Sequence, residues 1–266
     1  MRRRRQEAEA LALPILGWRK AGHGKAPSDN PVKAFLLAAG NGTRLRPLTE
    51  NTPKCLLPFN GVPLLSIWLE LCRRHGIKEV LLNVHAHPDA VRGFVASNHH
   101  GIRVQLFEEP TLLGSAGTIA ANRDWVAREK FFWILYADVL TNMDLRALLD
   151  FHKACQTAAT LAVYRVPDPS RCGIVTLGKN GVVQEFVEKP AIPCSNLAFS
   201  GVLIGTEQLL QAIPNRLPAD IGFDVLPRLV NQMSAYETSD YLLDIGTIQN
   251  YKQAQVTWPG LGNGEC

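Results

Sequence analysis

A small-residue loop, Gly40-Asn41-Gly42-Thr43, is followed closely by three cations, Arg44, Arg46 and Lys54. Glycines in such a loop let backbone N–H groups approach a phosphate closely, and nearby cations balance the negative charge. The apolar run at residues 34–39 that leads into the loop has the length and character of a buried parallel strand. These residue types in this order predict a polyphosphate site just beyond the end of a strand.

Two common phosphate-binding fingerprints do not fit this loop. A dinucleotide fingerprint needs a third glycine at the position that Leu45 occupies, and the chain has no P-loop spacing here. On these residues alone, an ordinary strand-to-helix turn with solvated charges is the alternative.

Two aspartates follow apolar strings at distant points of the chain. Asp138 comes after the run at residues 131–137, and Asp244 lies in Leu242-Leu243-Asp244-Ile245-Gly246. Magnesium favours carboxylates together with substrate phosphates, so the two aspartates are a candidate metal pair. Each of them alone would be read as a helix cap or a turn residue.

Two further strings carry polar groups that could read a substrate. Glu188-Lys189-Pro190 places a carboxylate beside an ammonium group, although a solvated charge pair before a turn proline has the same sequence. The segment from Glu109 to Thr118 contains Gly114 and Ser115 at a predicted helix entry, where Ser115 would be the N-cap.

The elements that must position these residues alternate in the first half of the chain. Helices predicted at 64–74, 89–96, 116–126 and 144–155 separate strands predicted at 79–84, 103–107 and 131–136, a pattern typical of a mostly parallel sheet covered on both faces. In the second half, β-runs at 159–166, 173–177, 182–187 and 197–204 predict an antiparallel appendage laid against the first half. Helices are predicted at 207–212 and 223–233.

Composition excludes several classes of protein. The 266 residues are 46% hydrophobic, enough for one substantial core. Residues 1–30 hold seven Lys/Arg against three Asp/Glu, so the rest carries 21 of each sign and gives no support to nucleic-acid binding. No apolar run approaches the roughly 20 residues that span a bilayer. Six cysteines without a C-x-x-C pair fit a reducing cytoplasm.

Taken together, the strings resemble the sugar-1-phosphate nucleotidyltransferases, also called NDP-sugar pyrophosphorylases. Their N-terminal motif reads G-x-G-T-R-L-x-P-L-T followed by P-K, and five motifs occur here in family order between about residues 33 and 251. The resemblance implies an α/β fold of the nucleotide-diphospho-sugar transferase type, with a Rossmann-like, mostly parallel sheet flanked by helices and an antiparallel sugar-binding subregion. The composition of residues 1–30 predicts a disordered basic extension. The resemblance implies one domain at 31–257 and a tail at 258–266. The domain would have a nucleotide-binding half (31–156) and a sugar-phosphate-binding half (157–257).

The resemblance also implies roles for individual residues. Arg44 would contact the β- and γ-phosphates, Lys54 the reacting α-phosphate, and Lys189 the sugar phosphate, with Asp138 completing the catalytic set. Asp138 and Asp244 would hold Mg²⁺. The implied nucleotide-binding residues are Leu37, Ala38, Ala39, Gly40, Gly42, Thr43, Arg44, Gly114 and Ser115. The implied sugar-phosphate-binding residues are Gly173, Glu188, Lys189, Asn196 and Ser200.

Within that family, Leu112-Leu113-Gly114-Ser115-Ala116-Gly117-Thr118 is most similar to mannose-1-phosphate guanylyltransferase-type enzymes. This implies GTP and a mannose- or heptose-type sugar 1-phosphate as substrates, with NDP-sugar and pyrophosphate as products. A UTP- or dTTP-dependent glucose-1-phosphate nucleotidyltransferase is one alternative, and a non-catalytic regulatory subunit that binds sugar nucleotides is another. Self-association into a homo-oligomer is compatible with each of these functions. The base and the sugar are not fixed by sequence.

Overall fold

The computed structural model describes residues 33–262, apart from the side chain of residue 180. The extension predicted at residues 1–30 lies outside the described residues. In chain order the strands are β1 (Lys33–Leu37), β2 (Pro58–Phe59), β3 (Val62–Pro63), β4 (Glu79–Val84), β5 (Arg103–Glu108), β6 (Phe132–Tyr136), β7 (Val139–Thr141), β8 (Ala159–Arg165), β9 (Gly173–Leu177), β10 (Val183–Glu188), β11 (Leu197–Gly205), β12 (Met233–Glu237) and β13 (Leu242–Asp244). The α-helices are α1 (Leu64–Arg74), α2 (Pro88–Ser97), α3 (Ser115–Ala121), α4 (Arg123–Val126), α5 (Leu145–Cys155), α6 (Glu207–Ala212) and α7 (Ile248–Thr257).

One large sheet runs through the described part of the chain in the order β10-β9-β11-β6-β1-β4-β5, and β8 and β12 are attached beside β11. The strands β6, β1, β4 and β5 are parallel to one another, whereas β11 is antiparallel to β6, β8 and β9. The predicted α/β fold class is therefore confirmed. The antiparallel strands are not laid against the first half as a separate layer, however, because β11 pairs directly with β6 in the same sheet.

Alternation along the central strands builds a core on each face of this sheet. In β6, Trp133 and Leu135 point into one core, while Phe132 and Ile134 point into the other. The first core is covered by α1, α2, α5 and α7, and the second by α3, α4 and α6. A strand buried on both faces reads as a continuous apolar run, which is why β1 and β6 are recognisable from sequence.

The helix predicted at residues 223–233 is wrong. The chain forms a π-helical turn at Ile221–Val225, then a 3₁₀ turn at Leu226–Leu229, and enters β12 at Met233. Pro227 has no N–H with which to continue a helix, and Asn231 adopts a left-handed conformation with φ of 64°. The apolar residues that suggested a helix instead fill the second core and the β12–β8 pairing.

Strand pairing brings three distant segments to one edge of the sheet. β1 and β6 are parallel with Leu37 opposite Tyr136, so the loops that follow them emerge side by side. The short β7–β13 pair then sets Asp244 opposite Val139, one residue beyond Asp138. Ligands of open α/β sheets bind beyond the carboxyl ends of the strands, and these are such ends.

The part of the predicted tail that is described packs on the domain. The ring of Trp258 lies edge-on to that of Tyr241, with centroids 5.2 Å apart. The guanidinium of Arg74 donates hydrogen bonds to the carbonyls of Leu261 and Gly262. Among residues 33–262, no helix has both the length and the apolar character of a membrane span.

Candidate active site

A cleft of about 250 Å³ opens at the carboxyl edge of β1 and β6. Its walls contain most of the residues predicted around the glycine loop and add Asn41, Cys55, Ala137 and Gly246 to them. The predicted residues in the walls are Leu37, Ala38, Gly40, Gly42, Thr43, Arg44, Lys54 and Asp138. Ala39 points away from the cleft into the protein and is 7% exposed.

The glycine loop is held open by its backbone geometry. Gly42 has φ of +63°, and a Cβ there would come within 3.1 Å of Thr49 Cγ2. The hydroxyl of Thr49 donates a 2.7 Å hydrogen bond to the Gly42 carbonyl, and the Leu45 N–H donates to the same oxygen. A Cβ on Gly40 would meet no atom within 4 Å, so this residue borders open space. The loop therefore presents backbone rather than side chains to the cleft.

Lys54 and Asp138 meet across the cleft. The ammonium group of Lys54, in a 3₁₀ turn at Lys54–Leu56, donates to Asp138 Oδ2 at 2.9 Å. The side chain of Lys54 is 11% exposed and that of Asp138 is 41% exposed. The cation is thus sequestered while the carboxylate faces the cleft, and a group bound there would touch both.

Asp244 and Arg44 complete this cluster of charges. The Gly246 N–H donates to Asp244 Oδ1 at 2.6 Å, and a Cβ on Gly246 would lie 2.9 Å from Arg44 Nη2. Gly246 therefore leaves the room that the guanidinium occupies. Crowding by protein atoms, and then the charge of Asp138, raise the pKa of Asp244 even though Lys54 and Arg44 lower it.

The pair of carboxylates suits a hard divalent cation. Within residues 33–262 no group of three or more His, Cys, Asp or Glu side chains forms a closed metal site. Magnesium does not need one, since it is commonly held by one or two carboxylates together with substrate phosphates and water. The charge of Asp138 contributes to the raised pKa of Asp244, so the two carboxylates lie near one another, as expected for ligands of a cation.

A buried polar network lies behind the cleft, and sequence reasoning missed it. Asn83 Oδ1 accepts a 2.6 Å hydrogen bond from the N–H of Ala38 in the cleft wall. Its amide nitrogen donates to Glu109 Oε1 at 2.9 Å and to Thr118 Oγ1 at 3.0 Å. Glu109 is 3% exposed and also accepts from the Leu113 N–H and the Thr118 hydroxyl. The network joins the glycine loop to the segment at residues 109–118.

Gly114 and Ser115 face the second half of the chain rather than the walls of the 250 Å³ cleft. Gly114 has φ of +79°, and a Cβ there would overlap the carbonyl of Ala219. Gly114 is the N-cap of α3, so the prediction that Ser115 caps this helix is wrong. The Ser115 hydroxyl instead donates to Asp220 Oδ2 and accepts from the Ile221 N–H, both at 2.8 Å.

Glu188 is the last residue of β10, and Lys189 follows it directly. Lys189 Nζ is 3.6 Å from Glu188 Oε1 and 5.4 Å from the centre of the Phe223 ring. The Glu188 carboxylate is crowded by Gly173, where a Cβ would lie 2.7 Å from Oε2. Burial raises the pKa of Glu188, Lys189 lowers it, and Asp220 raises it again. Gly173, Glu188 and Lys189 are therefore brought together as predicted partners of one site.

Asn196 and Ser200 stand apart from that group. Asn196 is exposed, and its Oδ1 accepts a 3.1 Å hydrogen bond from Arg165. Ser200 is 4% exposed, and its hydroxyl accepts from the Val202 N–H where β11 is irregular. Both polar groups are engaged by the protein itself.

Tyr136 and Asp220 were also missed from sequence. The Tyr136 hydroxyl bonds to the Ser115 side chain, and burial followed by the charge of Asp220 raises the pKa of Tyr136. Tyr136 could have been predicted as a site residue, because it is the last residue of β6 and lies two residues before Asp138. Residues at the carboxyl ends of such strands lie near the ligand. Asp220 gave no such signal, since a lone aspartate in a loop is usually a turn residue.

Comparisons with known proteins agree with this geometry. A family model described as "Nucleotidyl transferase" matches residues 33–258. A mannose-1-phosphate guanyltransferase of Schizosaccharomyces pombe is 32% identical over 83% of this chain, which spans 62% of the length of that relative. The mannose-1-phosphate guanylyltransferase catalytic subunit beta of Xenopus tropicalis is 31% identical over 88% of this chain and 69% of the relative.

Solved structures share the fold. A chain from Bacillus anthracis, assigned as a glucose-1-phosphate thymidylyltransferase, aligns with a TM-score of 0.77 over 88% of this chain and 97% of its own, at 22% identity. HddC from Yersinia pseudotuberculosis, also solved in complex with GMP-PN, aligns with a TM-score of 0.71 over 84% of this chain and 98% of its own, at 22% identity.

Proposed function

The chain belongs to the nucleotidyl transferase family, and on that premise we propose that it joins an NTP to a sugar 1-phosphate, giving NDP-sugar and pyrophosphate. GTP and a mannose- or heptose-type sugar 1-phosphate are the proposed substrates, because the relatives reported above are named for mannose-1-phosphate guanylyl transfer. The observation that carries the proposal is the meeting of Arg44, Lys54 and Asp138 around the glycine loop.

The proposed reaction requires neutralisation of negative charge rather than a general base. A sugar 1-phosphate is already an anion, so its attack on the α-phosphorus is opposed by repulsion between anions. Lys54, sequestered in the cleft wall, would offset that repulsion, and Arg44 would neutralise the negative charge of the departing pyrophosphate. Loop N–H groups and Lys189 would hold the two substrates in line.

We propose Mg²⁺ as the cofactor, held by Asp138 and Asp244. When bound there it would supply positive charge shared by the phosphates of both substrates. Crowding by protein atoms is the main cause of the raised pKa of Asp244, and the charge of Asp138 adds to it. That second contribution supports the assignment, because it requires the two carboxylates to lie close enough to share a cation.

We also propose a cytoplasmic location. The five cysteines in the described residues, Cys55, Cys72, Cys155, Cys172 and Cys194, are free thiols. Reduced thiols are the usual state in that compartment. Self-association stays a prediction, to be measured by analytical ultracentrifugation of the full chain.

A pyrophosphate-release screen tests the function. Four NTPs are combined with mannose, glucose and heptose 1-phosphates in the presence of Mg²⁺, and we expect the largest kcat/KM with GTP and mannose or heptose 1-phosphate. A preference for UTP or dTTP with glucose 1-phosphate would support the rival nucleotidyltransferase. Absence of turnover with every pair would contradict the proposal.

The variant Asp138→Asn tests the site itself. The change removes a negative charge from the cleft but keeps the shape of the side chain, so we expect Mg²⁺-dependent pyrophosphate release to be abolished with the circular dichroism spectrum unchanged. Asp150→Asn is the matched control, since Asp150 is an exposed residue of α5 and should keep wild-type turnover. Wild-type turnover in Asp138→Asn would refute the assignment.

A further inference from the structure

The turn around Asp220 links the two halves of the site. The Ala219 carbonyl accepts hydrogen bonds from the N–H groups of Ala116 and Gly117, in the first turn of α3. The next residue, Asp220, caps the π-helical turn at Ile221–Val225 by accepting a 3.0 Å hydrogen bond from the Phe223 N–H.

The same turn also contacts the residues predicted to bind the sugar phosphate. A Cβ on Gly222 would overlap Glu188 Oε2 and lie 3.3 Å from Asp220 Oδ1, so the two carboxylates face one another across a glycine. The ring of Phe223 lies under the Lys189 ammonium, 5.4 Å from its centroid. One short turn thus places a second carboxylate beside Glu188 and supports Lys189.

Both carboxylates keep acceptor capacity for a ligand. Each oxygen of Asp220 accepts one hydrogen bond, Oδ1 from the Phe223 N–H and Oδ2 from the Ser115 hydroxyl, and each retains a lone pair. The carboxylate of Glu188 has Lys189 as its cation at 3.6 Å. Two neighbouring carboxylates repel a phosphate but accept strong hydrogen bonds from hydroxyl groups.

We propose that Asp220 is a specificity-determining residue that accepts a hydrogen bond from a hydroxyl group of the sugar ring, beside the hydroxyl group read by Glu188. This rests on the proposed function. The sugar ring lies on the carboxylate side of the pair, and its phosphate lies toward Lys189. Ser115 fixes the orientation of Asp220, so the first turn of α3 sets the position of the sugar-reading group.

The test compares Asp220→Asn with a matched control, Asp224→Asn, four residues further along the same turn. Asp224 pairs with Arg216 and accepts a hydrogen bond from the Asp220 N–H, so its carboxylate is engaged by the turn itself. The kcat/KM of each protein is measured with mannose 1-phosphate and with analogues that lack one ring hydroxyl at a time.

In the wild type we expect one analogue to lose about tenfold to hundredfold in kcat/KM, the worth of a hydrogen bond to a charged group. Asp220→Asn should lose a similar factor with the parent sugar and discriminate against that analogue by less than about threefold. The KM for the NTP should be unchanged. Asp224→Asn should keep the wild-type discrimination, whatever its melting temperature.

Wild-type discrimination in folded Asp220→Asn would overturn the proposal. If that variant does not fold, Ser115→Ala is measured in the same way, and unchanged discrimination there has the same consequence. Absence of turnover in the wild type is instead a failure of the proposed function. Equilibrium binding of mannose 1-phosphate to wild type and Asp220→Asn then decides the role of Asp220, and equal affinities, or no binding to either, would overturn it.

Discussion

Thr118→Val should destabilise the protein by about 2 kcal/mol, because the change removes one hydroxyl from a buried charged network. Thr118 is fully buried, and its Oγ1 donates to Glu109 Oε1 at 2.5 Å while accepting from Asn83 at 3.0 Å. Valine has the same shape, so no cavity forms. A hydrogen bond to a charged group contributes about 1.5–3 kcal/mol, and Glu109 would keep its bonds to Asn83 and Leu113.

For a domain of this size, 1 kcal/mol corresponds to a shift of about 2–4 °C in Tm, so we expect a decrease of about 4–8 °C. Urea denaturation followed by circular dichroism gives the free energy of unfolding directly. Thr176→Val is the matched control, because Thr176 Oγ1 donates to Glu185 Oε2 at 3.3 Å on the surface. Its effect should stay within about 0.5 kcal/mol.

Equal effects in the two threonine variants would refute the reasoning, since burial would then not govern the strength of the bond. A change below about 0.5 kcal/mol for Thr118→Val would refute it as well, because the lost donor would have made no net contribution to stability. An unchanged slope of free energy against urea is needed for either conclusion, as it shows that the unfolded state is unaltered.

Three further variants test backbone geometry and titration. Gly114→Ala should cost about 2 kcal/mol or more, measured by urea denaturation, because φ is +79° and the Cβ would overlap the Ala219 carbonyl. Burial, and then the charge of Lys130, lower the pKa of His152 from 6.5 to about 4. Between these pH values the unfolded chain binds a proton that the folded chain does not, so the free energy of unfolding falls as the pH falls. The decrease in the free energy of unfolding from pH 7 to pH 4 should be smaller in His152→Asn than in wild type. Burial raises the pKa of Glu188 above its unfolded value, which penalises the ionised form at neutral pH. Glu188→Gln should therefore unfold at higher urea than wild type at pH 7, and the gain should vanish below the ordinary pKa of a glutamate.

The positions of the aspartates and the glycine loop were predictable because they depend on strand topology. An apolar run that is buried on both faces marks a parallel strand, and the residue after it must face the ligand edge of the sheet. This placed Gly40 and Asp138 side by side without any knowledge of side-chain contacts. Asp244 reaches this edge differently, because it ends β13, a half-buried strand that pairs antiparallel with β7 outside the main sheet.

The buried network was not predictable, because its members are far apart in sequence. Asn83 is 26 residues from Glu109 and 35 from Thr118, and neither spacing is a helix or strand period. A glutamate in Glu108-Glu109-Pro110 reads as a solvated charge before a turn. The pairing of β4 with β5 sets Glu109 beside Val84 at the end of β4, and this position buries the carboxylate.

We expect nucleotide binding to depend on the proposed divalent cation, because carboxylates lie beside the cations of the cleft. Among the described residues at its mouth, Lys54 is neutralised by Asp138 at 2.9 Å, and Arg44 lies beside Asp244. A triphosphate would therefore meet one cation that is already paired with a carboxylate and a second cation that lies near one. Asp138→Asn frees Lys54, so in EDTA this variant should bind GTP more tightly than wild type. With Mg²⁺ the order should reverse, because the variant has lost a metal ligand. Isothermal titration calorimetry measures the GTP affinity of both proteins in EDTA and in Mg²⁺. If the same protein binds GTP more tightly under both conditions, Asp138 is not a ligand of the cation.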